Sequence, residues 1–194
     1  GWFFDDISGI EATQVLQYAG RVIQLARELF DTDVESGFLD ILQNATSNIP
    51  EQGNGRRIYE RFVRPAVVDL GKVGAHFAVS SLFESYPERS RIYCYMADTE
   101  HYQVQEAGVA RLAVGQVKLT LVVTGEHAHL TFGVLHFGDH NITAGARPFW
   151  GEEAYAQMVR EVTAGFSGAD LPEVIRLLDK HFGELTYSLK SLFR

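Results

Sequence analysis

The sequence predicts an α+β fold, a helical bundle packed with an antiparallel β-sheet of about five strands. Three observations predict it. Apolar residues recur at helical spacing from Ser8 to Phe30 and again from Arg56 to Ser85; the period changes from 3.6 to 2 after "YPERS" (86–90); and helical spacing returns from Gly151 onward. Residues 1–86 then form a helical part, 91–148 the sheet and 151–194 the C-terminal helices of a single domain, a length that suits one well-buried core.

The first helix is "SGIEATQVLQYAGRVIQLARELF", with Val15, Leu16, Ala19, Val22, Ile23 and Ala26 on one face. Ser8 with Glu11, and Thr32 with Glu35 ahead of the shorter helix "SGFLDILQNA", have capping-box spacing. Pro50, Gly53 and Gly55 make "ATSNIPEQGNG" a loop. Between Arg56 and Ser85 the buried stripe is Ile58, Phe62, Ala66, Leu70, Val73, Phe77 and Leu82, with Pro65 kinking or dividing the helix. Gly71, Gly74, Ala75 and Ala78 leave a flat strip for another helix. "RIYCYMA", "EHYQVQE", "QVKLTLVVTG" and "HAHLTFGVLHF" read as strands, and the short turns between them require antiparallel pairing. "GEEAYAQMVREVTAGF", "LPEVIRLLDKHFG" and "ELTYSLKSLF" close the chain as helices.

An apolar fraction of 46% and a charged fraction of 22% describe a globular protein. The formal charge of -8 repels a phosphate backbone, and the one basic stripe, Arg56, Arg57, Arg61 and Arg64, suits a solvated helix face interleaved with Glu60; nucleic acid is not expected as a partner. No apolar run approaches the roughly 18 residues that cross a bilayer, so no membrane partner is expected either. Cys94 is the single cysteine and reads as a small buried residue; a cytoplasmic, reducing setting follows. The opening "GWFFDD" would leave a Trp and two Phe without partners at a free terminus, so the chain is expected to be a fragment of something longer.

Two polar clusters stand out. In "HFGDHN", His136 and His140 would share a helix face as zinc ligands do, but the flanking alternation of Ala128, Leu130, Phe132 and Val134 makes a strand. A two-residue turn at Gly138 and Asp139 would set His136 opposite Asn141 and Phe137 opposite His140. A structural turn with a hydrogen-bonded His136 is favoured over a polar ligand-contacting loop of His136, Asp139, His140 and Asn141, and both over a metal site; no metal or cofactor is expected. His127 and His129 share the opposite parity and suit a solvated sheet face. Asp5 and Asp6 precede a helix N-terminus, where the dipole alone favours acids. Their neighbours Trp2, Phe3 and Phe4 shift the reading to a sugar site, since apolar sugar faces stack on rings while hydroxyls bind carboxylates. In "ARPFWGEEAY", Arg147, Phe149 and Trp150 mark a strand end leading into a helix, with Gly151 as cap and Trp150 packed on the bundle. Phosphate loops, nucleophile elbows and cysteine pairs are missing from the sequence.

The strings "GWFFDDISGIE", "SNIPEQGNGRRIYERFVRPAVVDL", "VGAHFAVSSLFE", "VLHFGDHNITAG" and "DLPEVIRLLDKHFGELTYSLKSLFR" together resemble the C-terminal region, domain of unknown function 3536, of bacterial proteins related to glycoside hydrolase family 57. The resemblance covers essentially the whole chain. It implies an upstream (β/α) barrel of the same polypeptide, whose glutamate nucleophile and aspartate acid/base cleave or transfer α-glucans with retention. Both catalytic carboxylates then lie before Gly1, and the chain alone is inactive. "GWFFDD" is similar to that family's aromatic and acidic string, which implies that Trp2 and Asp5 or Asp6 face an α-glucan or related polysaccharide. The expected role is an accessory domain that shapes and closes the glycan cleft; the alternative is a noncatalytic scaffold or oligomerisation module without sugar contact.

Overall fold

The computed structural model describes residues 6–192, so Trp2 and Asp5 lie outside the described residues. The chain divides into two compact units, Gly1–Val67 and Val68–Arg194. The helical part predicted over 1–86 is therefore shared between them.

The first unit holds helices α1 (Ile10–Phe30), α2 (Glu35–Leu42) and α3 (Gly55–Ile58), the last running on through a π turn at Tyr59–Val63 and a 3-10 turn at Arg64–Ala66. Pro65 explains the ending: it lacks an N–H and disfavours helical backbone at the residue before it. Ile23, Leu39, Tyr59 and Val63 form the core, and Gly20 lets Val63 approach α1 so closely that a Cβ there would sit 2.9 Å from its Cγ1. Of the stripe predicted on α1, Ile23 is buried while Val15 and Val22 are exposed. The unit is too small to cover two sides of one helix, so Val15, Tyr18, Val22 and Leu29 form a second, exposed apolar stripe. Neither predicted capping box forms: Gly9 and Val34 are the N-caps, without side-chain hydrogen bonds. Asp33 accepts from the Glu35 N–H (3.1 Å) at the start of α2, while Asp6 accepts from the Ser8 N–H (2.8 Å), one residue ahead of the α1 N-cap. Two members of the arginine stripe are ion-paired within the unit, Arg56 with Asp40 (3.5 Å) and Glu60 (3.2 Å), and Arg64 with Glu35 (3.2 Å).

The second unit runs α4 (Leu70–Ser81), β1 (Arg89–Ile92), β2 (Tyr95–Ala107), β3 (Ala110–Leu121), β4 (His127–His136), β5 (Ile142–Pro148), α5 (Glu152–Ser167), α6 (Leu171–Phe182), β6 (Thr186–Ser188) and α7 (Leu189–Leu192). Its six strands pair antiparallel in chain order, one more than the predicted five or so. "RIYCYMA" is not one strand, because the chain reverses at Tyr93 and Cys94 with Ile92 opposite Tyr95. Tyr93 takes a left-handed backbone (φ 53°) at that reversal, and Cys94, expected to be buried, is exposed there. β6 comes from the predicted last helix: Thr186, Tyr187 and Ser188 pair with the free edge of β5, and two of those residue types favour strands.

The sheet is covered on both faces. On one, α4 sets Val73, Phe77 and Ala78 against Val117, Leu130 and Phe132; on the other, α5 and α6 set Met158, Val162 and Leu178 against Leu112, Val114 and Leu135. That is why β3 is buried almost continuously rather than on alternate residues. The small-residue strip of α4 meets the sheet, not another helix, since a Cβ at Gly74 would lie 2.5 Å from Leu130 Cδ1. Glu161 ties α5 to α6, accepting from Lys180 Nζ at 2.7 Å and lying 2.8 Å from His181 Nε2. Among the described residues no helix is long and apolar enough to cross a membrane.

Gly133 and Gly145 face each other across β4 and β5, and Phe182 fills the space where their side chains would be. A Cβ at Gly145 would lie 2.2 Å from Phe182 Cγ, so Gly145→Ala should destabilise the protein by about 1–3 kcal/mol through overpacking. A lower urea midpoint at an unchanged slope checks this.

Candidate functional site

Of the aromatic and acidic string predicted to face sugar, Asp6 is the described member. Its Oδ1 accepts the Ser8 N–H (2.8 Å) and the Ser47 hydroxyl (2.7 Å), and Oδ2 accepts the Asn48 N–H. Hydrogen bonds from Ser8, then Ser47 and Asn48, hold this carboxyl far below the usual aspartate range. The arrangement pins the start of α1 to the loop after α2.

His136 ends β4, and the segment that follows is longer than a two-residue turn. His136 pairs with Ile142, leaving Phe137 to Asn141 as the loop; Phe137 N–H donates to Asn141 O (3.1 Å) and Asn141 N–H to Gly138 O (3.0 Å). Gly138 (φ 110°) and Asp139 (φ 47°) supply the positive φ angles that reverse the chain. His136 Nε2 lies 3.1 Å from Asp139 O, which is the hydrogen-bonded structural role, while His140 and Asn141 are exposed in the loop. His127 is exposed; His129 is half-buried, with Nε2 2.8 Å from Glu100 Oε2 and its ring 4.3 Å from that of Phe149. Among the described residues no three His, Cys, Asp or Glu side chains gather as a metal site requires.

The side chains that do gather lie where α4 ends over β2. Along β2 the register shifts, Thr99 pairing with Val117 but His101 with Gln116, so Glu100 is an extra residue. Beyond this bulge Tyr102, Val104 and Glu106 face α4, while His101, Gln103 and Gln105 face the opposite side. Opposite them α4 turns out through Phe83, Glu84, Ser85 and Tyr86. The result is an open cleft of about 420 Å³ with Phe77 and Leu82 at its base. Phe83, Tyr86 and Tyr102 supply ring surface; Glu84, Glu88 and Glu106 supply carboxylates; Ser85 and Thr99 supply hydroxyls.

The walls are fixed by hydrogen bonds. Tyr102 OH donates to Ser81 O (2.8 Å), Arg111 Nη1 to Leu82 O (3.0 Å), and Tyr86 OH to Glu84 Oε2 (2.8 Å). Burial, and after it the bond to Glu84, pushes the Tyr86 phenol above its usual pKa. Phe83 projects from the rim, more than half exposed, with the His136 ring against it at 5.3 Å in a T-shaped contact. His136 thus braces one wall of the cleft without lining it.

A family described as "Domain of unknown function (DUF3536)" matches residues 1–193. The chain belongs to the DUF3536 family. No curated protein and no solved structure matches it.

Sequence reasoning missed the cleft of this DUF3536 domain. "SLFESYPERS" packs two aromatics and two acids into the exit of a helix, at the point where the apolar period also changes. In "EHYQVQE" the alternation of Tyr102, Val104 and Glu106 is visible, but the bulge that aims it at α4 is not.

A carboxylate whose folded-state pKa is depressed adds stability above its unfolded pKa, and that stability disappears as pH falls through the folded value. Asp6→Asn should therefore lower the melting temperature at neutral pH, and the gap to wild type should close on acidification below the usual aspartate range. Melting curves over a pH series measure both.

Proposed function

We propose that this DUF3536 domain is a noncatalytic, carbohydrate-contacting accessory domain that works beside a glycoside hydrolase family 57-like (β/α) barrel of the same polypeptide in the cytoplasm. It helps to hold an α-glucan or related polysaccharide while the barrel supplies the catalytic carboxylates; alone it is inactive. The observation that carries this reading is the cleft of Phe83, Tyr86 and Tyr102 with Glu84, Glu88 and Glu106. Ring faces take the apolar faces of pyranoses, and carboxylates accept from sugar hydroxyls. The resemblance of the chain's strings to the region that follows such barrels supports the partner. The exposed stripe of Val15, Tyr18, Val22 and Leu29 supports a surface that another domain covers. The single, exposed Cys94 suits a reducing compartment.

The same apolar stripe favours a second reading, a scaffold or oligomerisation module that never touches sugar. One experiment separates them. Calorimetric titration with maltoheptaose should give saturable binding, weakened at least tenfold by Phe83→Ala and by Glu88→Gln, both at exposed positions. Absence of binding, with a sedimentation-derived mass that rises with concentration and returns to monomer on Val22→Asp, would establish the scaffold instead.

A further inference from the structure

The face of the sheet that packs against α5 and α6 carries a polar row straight across four strands. His101 on β2 lies opposite Gln116 on β3, Gln116 opposite Thr131 on β4, and Thr131 opposite Arg147 on β5. Residues directly opposite one another share a face. His101, at the open end, is exposed and stacks on Tyr155 at 5.9 Å. The other three are buried: Gln116 is 1% exposed, Thr131 1% and Arg147 3%.

Buried polar groups are normally paired, so those left over call for a partner. In this row Gln116 Nε2, Arg147 Nε and Arg147 Nη1 are buried without a hydrogen-bond partner among the described residues. All three are N–H donors, so what is lacking is an acceptor. No described carboxylate pairs with Arg147, and burial alone accounts for the lowering of its pKa. Its guanidinium carbon lies 3.9 Å from the centre of the Trp150 ring and 5.9 Å from that of Phe182. Phe182 belongs to the packed core, whereas Trp150 is 67% exposed and Gly151 behind it has φ 105° with open space where a Cβ would sit. Trp150 is thus a thin cover over an unpaired cation.

We propose that Arg147, with Gln116 and Thr131 beside it, forms a receptor for an oxyanion, a carboxylate or a phosphate group, that reaches the guanidinium by displacing the Trp150 ring. A guanidinium presents a fork of donors that matches both groups bidentately. The site lies on the face opposite the aromatic and acidic cleft and does not depend on the sugar reading.

Trp150 provides the readout. In a Trp2→Phe background it is the one tryptophan left, and its emission is followed during titration with sodium phosphate and, separately, sodium acetate at ionic strength fixed with sodium chloride. A saturable change with either anion is expected, at least tenfold weaker in Arg147→Lys and abolished in Arg147→Met. Arg147→Met should melt no lower than the parent in chloride alone, since it removes an unpaired charge. Response to phosphate only assigns a phosphate ester, and response to acetate as well assigns a carboxylate. The proposal is overturned if neither anion gives a saturable change in the parent protein, a result that needs no variant to fold. It is also overturned if Arg147→Met responds like the parent, or if it melts well below the parent in chloride, because the guanidinium then serves the fold as it stands.

Discussion

One inserted residue organises the second unit. Glu100 interrupts the pairing of β2 with β3, and every side chain after it changes face. Without that shift Tyr102, Val104 and Glu106 would point at α5, leaving α4 to end over His101, Gln103 and Gln105. The cleft would lose one wall and the polar row its open end. The bulge is held on both sides. Thr99 N–H donates to Glu88 O at 2.7 Å, while Lys118, hydrogen-bonded to the Glu100 carboxylate, lowers its pKa, with His129 adding to the effect. The Lys118 and His129 contacts lie on the α5 side of the sheet, so the residue that redirects β2 is anchored opposite the cleft it creates.

Coverage of both faces then decides where function can sit. The layers seal β3 to β5 and, on the α4 side, reach Ile92 and Ala97, but they leave β2 open beyond its bulge. In the sealed middle the packing leaves glycine at Gly74, Gly133 and Gly145 because neighbouring side chains occupy the Cβ positions. Polar chemistry crosses that middle only in the buried row of Gln116, Thr131 and Arg147, and otherwise lies at the margins. The cleft lies where α4 runs out over β2, and Trp150 lies where β5 leaves the sheet for α5.

The sequence makes the broad fold legible, and the reason is periodic burial. α1, α4, α5 and α6 announce themselves by apolar spacing, and Pro65 marks the end of its helix correctly because its effect is local. Two departures turn on residues distant in sequence: β6 is a strand because β5 has an open edge, and Val15 and Val22 are exposed because the first unit covers one side of α1. The capping boxes fail locally, because the helices start after Gly9 and Val34 rather than after Ser8 and Thr32. For the site, local reasoning recognises polar residues but cannot weigh their satisfaction. In "HFGDHN" the favoured reading, a turn with a hydrogen-bonded His136, matches the structure, although the loop is longer than two residues. The cleft residues, in sequence, are indistinguishable from a boundary between two periods.

Satisfaction separates the charged groups that hold this protein together from one that does not. Asp6 is an acid beside aromatics in the sequence, yet Ser8, Ser47 and Asn48 already occupy it, so binding a ligand there would mean breaking bonds on which the start of α1 depends. Glu35 and Glu161 are each engaged by two basic side chains. Arg147 is the reverse case: more deeply buried than any of these, it has aromatic rings for company and no anion among the described residues. A cation over a desolvated ring recovers about 2 kcal/mol, whereas moving an ion out of water costs several kcal/mol even after relaxation. A fold needing only a packed residue there would do as well with a methionine. What the guanidinium adds over a methionine is a fork of N–H donors, and those on Nε and Nη1 meet no acceptor among the described residues.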